Sequence, residues 1–313
     1  MAKKSGNGSV KKVYAFLGPV GTFTELALGQ VAEAKGQRHL PVSNVQEAID
    51  LVLAKKAHRA IVPVENSIEG GVSATLDALA GTDNVRIYGE YIVPIAFNLV
   101  AARGVTLKDV RTVATHPVAY AQTRKWLSAN LPKHRHLPST STAAAAADLL
   151  DGSSAEAAVA ASTITDHYDL KVLAKNIGDN KHAQTRFIQI GLAGSVPERT
   201  GADKTSVIVE LPSDKPGALL EMLEQFAARG VNLSRIESRP IGDRMGRYRF
   251  NIDVEGHLHD EAVAEALKGL HRFSPRVVFL GSYARADKVQ SVHRGNNSNP
   301  EFAAADAWMK KLR

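Results

Sequence analysis

The chain has 313 residues, enough for two domains at about 100–200 residues each and for a core that needs no disulfide or metal. It has no cysteine, which excludes thiol catalysis, zinc–thiolate sites, iron–sulfur clusters and disulfide scaffolds. The formal charge of +7 sits in two tails (residues 1–12 and 284–313), while 13–283 balances 29 basic against 29 acidic residues, so no nucleic-acid partner is expected.

Val13–Leu17 reads as a short apolar strand ending at Gly18-Pro19. Thr22 and Glu25 have the spacing of a capping box for the next helix, and Asn44 and Glu47 repeat it before Ile49, Val52 and Leu53. Arg59–Val64 is a strand, followed by a polar loop and a helix through Leu76 and Leu79. Arg111–Thr115 is another strand, then a helix from about Ala119 to Ala129. Ser141 or Thr142 caps an alanine-rich helix to Leu150, and Ala157–Ala161 and Arg186–Leu192 are strands. This alternation predicts α/β architecture with mostly parallel sheets. Residues 193–203 form a polar linker with Gly and Pro. The order over 204–283 is then βαββαβ, a ferredoxin-like unit. The segment 284–313 is expected to be a loose tail with a short helix over Ala303–Leu312. No apolar run approaches the roughly 20 residues of a membrane helix, and no apolar segment follows the first residues. A cytoplasmic protein with no membrane partner is therefore expected.

Several segments can carry chemistry. Gly18–Glu25 joins a strand to a helix, either as an ordinary turn or as a place where backbone meets an anion. Val64–Gly71 puts Glu65, Asn66, Ser67 and Glu69 at the C-terminal end of a strand, where open α/β sheets bind ligands. His116 after Thr115 is an acid–base group or, more simply, a cap. Ser139–Thr142 offers four hydroxyls, one of them a helix cap. Thr185-Arg186 can hold a carboxylate through the guanidinium while the hydroxyl contacts a second group. The pairs His134/His136 and His257/His259 lack a third ligand at metal-like spacing, so no metal is expected.

Taken together and in this order, residues 18–25 (GPVGTFTE), 64–70 (VENSIEG), 115–117 (THP), 141–143 (STA) and 185–187 (TRF) resemble the prephenate dehydratases. Pro216–Leu220 and Ile236–Pro240 look like the two phenylalanine-binding motifs of the ACT regulatory domain; Arg247–Phe250 and Leu280–Tyr283 also fit. The resemblance implies a two-lobed catalytic domain of periplasmic-binding-protein type (type II) over 13–192, followed by an ACT domain over 204–283. The lobes would be about 13–92 with 169–192, and 93–168. Prephenate would lie between them and lose carbon dioxide and water without metal or cofactor.

By the same resemblance Thr185 is the catalytic residue, hydrogen bonding to the departing hydroxyl. Arg186 would orient a substrate carboxylate or stabilise the lobe contact, while Phe187, Asn66 and Ser67, Ser141 and Thr142, and the Gly21–Thr22 amides would hold substrate. Glu65 is the runner-up acid, and its expected role is to orient the Asn66 loop. L-Phenylalanine would bind at Gly217, Ala218, Leu219 and Leu220, with Asn232 and Glu237, Ser238, Arg239 and Pro240, across a contact in a dimer or tetramer. One departure is Ala183, where many members carry asparagine; His182 beside it is a candidate substitute. No chorismate mutase segment is seen before residue 13. Arogenate as substrate, and a sensor without activity, remain alternatives.

Overall fold

A computed structural model describes residues 11–213, 215–242, 246–291 and 295–313; the first ten residues of the basic N-terminus lie outside it. In chain order the first part contains β1 (Val13–Leu17), α1 (Phe23–Gly29), β2 (Arg38–Val42), α2 (Val45–Leu53), β3 (Arg59–Asn66), β4 (Gly70–Gly71), α3 (Ser73–Ala80), β5 (Val85–Pro94) and β6 (Phe97–Ala101). Then come β7 (Thr112–Thr115), α4 (Pro117–Asn130), β8 (Arg135–Pro138), α5 (Thr142–Asp148), β9 (Ala157–Ala161), α6 (Ile164–His167), β10 (Lys171–Ala174) and β11 (Gln184–Leu192). The last part is β12 (Asp203–Glu210), α7 (Ala218–Ala227), β13 (Leu233–Pro240), β14 (Tyr248–Glu255), α8 (Glu261–Phe273), β15 (Val277–Ala284) and α9 (Asn299–Lys311).

The chain divides into two compact units, residues up to 70 with 92–187, and 71–91 with 188–313. The first unit holds two sheets, ordered β2-β1-β3-β11 and β10-β6-β9-β7-β8. These are the two α/β lobes expected above, except that β10, expected with the first lobe, pairs with β6 at the edge of the second sheet, so the chain returns to the first lobe only with β11. β1 runs parallel to β2 and β3, and β7 parallel to β8 and β9. β6 runs antiparallel to β9 and β10, so the expectation of parallel pairing fails there. Both predicted caps form: Thr22 Oγ1 accepts the Glu25 N–H and Asn44 Oδ1 the Glu47 N–H. Each N3 glutamate reaches one residue further back than a capping box requires, to the Gly21 and Ser43 N–H groups. The alanines of α5 (Ala143, Ala145, Ala146) are fully buried in one cluster with Ala158 and Ala160 of β9. Side chains this small let helix and strand backbones approach closely.

In the second unit, β12, α7, β13, β14, α8 and β15 form an antiparallel sheet ordered β13-β14-β12-β15 with two helices, the ferredoxin-like pattern. Met222 and Phe226 of α7, and Val263, Ala266 and Leu270 of α8, pack on Val207, Phe250, Ile252 and Val254. Full burial of a ring such as Phe226 is worth about 1.5–3 kcal/mol. β5 supplies a close contact to β15: Gly281, at φ +146°, faces the Ile87 backbone, and a Cβ there would lie 2.4 Å from the Ile87 carbonyl oxygen. The segment expected to be loose is tied down where it is described. Arg285 pairs with Glu255 and Asp287, Asn299 accepts the Glu261 N–H at 2.9 Å, and Phe302 packs against the core of this unit. Among the described residues no helix is long and apolar enough to cross a membrane, and no cluster of three His, Asp or Glu could hold a metal ion.

Candidate active site

The two sheets of the first unit share one cleft, with about 800 Å³ of open space. From the first sheet it is lined by Thr22, Phe23, Thr24, Asn66, Thr185 and Phe187. From the second come Phe97, His116, Gln122, Thr140, Ser141 and Thr142. Phe23 and Phe97 meet edge to face at 5.5 Å, giving the cleft an apolar wall. His116 is the single titratable residue among the lining side chains.

At the head of β11, Thr185 is 7% exposed and its Oγ1 accepts a hydrogen bond from Asn66 Nδ2 at 2.9 Å. The orientation of that amide is determined by backbone. Asn66 Oδ1 accepts the Ile68 and Glu69 N–H groups at 2.9 and 3.3 Å, so the NH₂ must turn to Thr185. Thr185 oxygen thus receives a proton donor, and its own O–H remains a donor with polarised charge. His116 caps α4, Nδ1 accepting the Val118 N–H at 3.3 Å, which puts the proton of the neutral ring on Nε2. Ser141 caps α5 through the Ala144 N–H. α1, α4 and α5 all begin on the cleft, and helix starts carry partial positive charge. The arrangement offers neutral donors and positive helix ends to an anion, beside an apolar wall for a ring.

Of the residues expected from sequence, the cleft gathers Thr22, Asn66, Ser141, Thr142, Thr185 and Phe187. Three others are turned elsewhere. Arg186 is buried on the opposite face of β11, 3.5 Å from Glu65, because side chains alternate along a strand and Thr185 and Phe187 take the cleft side. Ser67 stitches the loop to β11: its Oγ accepts the Gln184 N–H and its N–H meets the Gln184 carbonyl, both at 2.9 Å. The Gly21 amide is already donated to Glu25 Oε2 at 2.6 Å. Ala183 is buried, and His182 is exposed and is not among the residues lining the cleft. Sequence reasoning passed over Gln122, buried beside Ala119 and Thr123 on α4, whose Nε2 reaches Glu69 at 3.4 Å. A glutamine in register with buried positions of a helix was the available signal.

The residues expected to bind phenylalanine lie in the second unit. Gly217 caps α7 in the left-handed conformation, φ +88°. Ala218 is buried, and Leu219 and Leu220 are exposed. Asn232 is exposed just before β13, an edge strand whose side chains alternate between half-buried and exposed, Ser238 and Pro240 being exposed. Glu237 and Arg239 have partners within the unit. Glu237 pairs with Arg235 at 2.8 Å, and Arg239 binds both carboxylate oxygens of Asp77 on α3 at 2.7 and 3.2 Å. Arg249 adds a third bond to Asp77 at 2.6 Å. The Asp77 carboxyl is held below its usual range, first by the Arg239 hydrogen bonds, against burial, and then by the Arg239 charge and Arg249. A carboxyl with a lower pKa folded than unfolded contributes stability above its unfolded value, about 4, and loses it as pH falls through the folded value. Asp77→Asn is therefore expected to destabilise the protein at neutral pH and progressively less below about pH 4. The effect is modest, because Asp77 is nearly half exposed. Urea unfolding of both proteins at pH 7 and pH 3 measures it; a constant gap would assign the loss to packing rather than charge.

Fold and cleft together define an α/β protein with a cleft of polar donors between two lobes and a ferredoxin-like module after them in sequence. The family model for prephenate dehydratase matches residues 14–194, and that for the ACT domain residues 205–272. A prephenate dehydratase of Mycolicibacterium gilvum is 43% identical over 310 residues, 96% of this chain and 97% of its own. The crystal structure of a prephenate dehydratase from Arthrobacter aurescens in complex with L-Phe superposes with TM-score 0.92 at 53% identity, over 96% of this chain and 99% of that one. Another structure, described as a novel type of quorum-quenching acylase, is 29% identical with TM-score 0.79, covering 89% of this chain and all of that one. The chain belongs to the prephenate dehydratase family and carries an ACT domain.

Proposed function

We propose that the protein catalyses the decarboxylating dehydration of prephenate to phenylpyruvate, in phenylalanine biosynthesis, under control by L-phenylalanine at the ACT domain. The observation that carries this reading is the Asn66–Thr185 hydrogen bond at the head of β11, inside a cleft of hydroxyl and amide donors. In the reaction the ring C–carboxylate bond breaks to give carbon dioxide, and its electron pair enters the ring. The C–O bond to the ring hydroxyl breaks, and the departing hydroxide takes a proton to become water. Aromatisation supplies the drive.

Thr185 donates its O–H to the departing oxygen. A threonine hydroxyl is a weak acid, so it stabilises developing charge rather than transferring the proton completely. The Asn66 N–H on the same oxygen strengthens that donation. The Thr22 backbone N–H, Ser141, Thr142 and the His116 Nε2–H meet the carboxylates, aided by the start of α4; the Thr22 hydroxyl itself is donated to the Leu17 carbonyl. Phe23, Phe97 and Phe187 wall the ring. Arg186, Glu65 and Ser67 act from behind, holding β11 and the Asn66 loop in register.

On this reading the catalytic domain spans 13–192, with lobes at about 13–92 plus 184–192 and at about 93–174, since β10 pairs with β6. Residues 193–203 link it to the ACT domain at 204–283, and 284–313 takes no part in chemistry. The protein works in the cytoplasm without a cofactor. Phenylalanine binds where Gly217–Leu220, Asn232 and the 237–240 segment meet a second copy, so the working form is at least a dimer. Exposed Leu219, Leu220, Ile236 and Tyr248, together with the free edge of β13 in the sheet order, support that pairing. The relative crystallised with L-Phe supports the effector.

The test is product formation from prephenate and from arogenate, each with and without phenylalanine. Faster turnover of prephenate, altered by phenylalanine, is the expected result. Preference for arogenate would change the substrate. Phenylalanine binding without turnover of either would make the chain a sensor.

A further inference from the structure

Among the contacts between the two lobes, one carboxylate holds both the turn that lines a cleft wall and a side chain of the other lobe. Glu25 lies in the first turn of α1, in the first sheet's lobe. Its Oε2 accepts the Gly21 N–H at 2.6 Å and faces His167 Nε2 at 2.9 Å. His167 ends α6, the helix that joins β9 to β10 in the second sheet. Gly21, at φ +82°, makes the approach possible: a Cβ there would lie 2.6 Å from Ile164 Cδ1. The turn 18–22 is thus pressed on α6, and Glu25 holds both the turn and the histidine. Thr22 and Thr24, on either side of Phe23, line the cleft.

We propose that Glu25 and His167 are positioning residues for the reaction, a latch between the two lobes that sets how closely the cleft walls approach around prephenate. The inference rests on the activity proposed above. Substrate has to be held from both walls at once, by Thr185 and Thr22 on one and by Ser141 and Thr142 on the other. A latch that holds the closed spacing before substrate arrives removes part of the ordering cost of binding. The contact touches no reacting atom, so its loss falls on affinity more than on turnover.

The experiment is steady-state kinetics on the full chain, with wild type as the first arm. Absence of prephenate turnover in wild type overturns the functional reading itself. With wild type active, His167→Ala is expected to raise KM by about three- to tenfold, the range of one partly exposed hydrogen-bonded contact, with kcat within about twofold. His167→Gln, which keeps a hydrogen-bond donor for Glu25, is expected to recover most of that loss. Glu25→Ala and the double variant Glu25→Ala/His167→Ala are expected to share one KM, because each breaks the same contact. An unchanged KM in His167→Ala, or additive losses in the double variant, overturns the latch. A lowered melting temperature without a KM shift would do the same, since that is the signature of a merely structural contact.

Discussion

Thr185→Val is expected to lower kcat for prephenate by about two to three orders of magnitude, with a smaller change in KM. That is the usual cost of losing one preorganised donor aimed at developing negative charge. Valine keeps the branched shape and the strand preference of threonine, so β11 and the neighbouring Phe187 stay in place. What disappears is the O–H. The same substitution leaves Asn66 Nδ2 without the acceptor it now meets at 2.9 Å. Asn66→Ala is the partner experiment. If Asn66 acts by polarising Thr185, the two losses overlap, and the double variant is little worse than Thr185→Val alone. Thr185→Ser, which keeps the hydroxyl, is expected to restore much of the rate. Near-normal turnover in Thr185→Val would remove Thr185 from the mechanism and turn attention to His116, the one titratable side chain lining the cleft.

The same strand shows what was legible in the sequence and what was not. Thr185, Arg186 and Phe187 form a recognisable motif, and reading it as one cluster assigned all three to the ligand. Period-two alternation sends Arg186 to the other face, where Glu65 meets it. Gly21 failed for a related reason. The Glu25 spacing was visible, but the carboxylate spends itself on the Gly21 N–H instead of leaving that amide to an anion. Central strands such as β1, β3 and β9 were readable because burial makes them continuous apolar runs. Edge strands β2 and β8 read Arg-His-Leu-Pro-Val and Arg-His-Leu-Pro, with charge and proline on mostly exposed positions, and carry no such signal. Gln122 enters the cleft from a helix face set by long-range packing, which a local motif does not reveal. The ACT region was legible as βαββαβ, yet Arg239 is engaged by Asp77, a residue more than 150 positions away in sequence.

Gly217→Val is expected to abolish the response to phenylalanine, read as the ratio of initial rates with and without the effector. The position combines two constraints. Its φ of +88° lies in the left-handed region, which a β-branched residue reaches only with strain of a kilocalorie or more, about 1–3 kcal/mol. It also caps α7, whose first N–H groups are the donors that an amino-acid carboxylate would use. Space alone is not the obstacle, since a Cβ at Gly217 meets nothing within 4 Å. Gly217→Ala therefore separates the two effects. It carries the backbone penalty in smaller measure, without the branched bulk over the helix start, and is expected to weaken the response rather than erase it. Melting curves of both variants show whether the ACT fold survives, which the packed core of α7 around Met222 and Phe226 favours. An unchanged response in a folded Gly217→Val would move the effector away from α7. Linkage then demands that the ratio of phenylalanine affinities for the two states be unchanged, because an effector alters activity only through a difference in its own affinity for them.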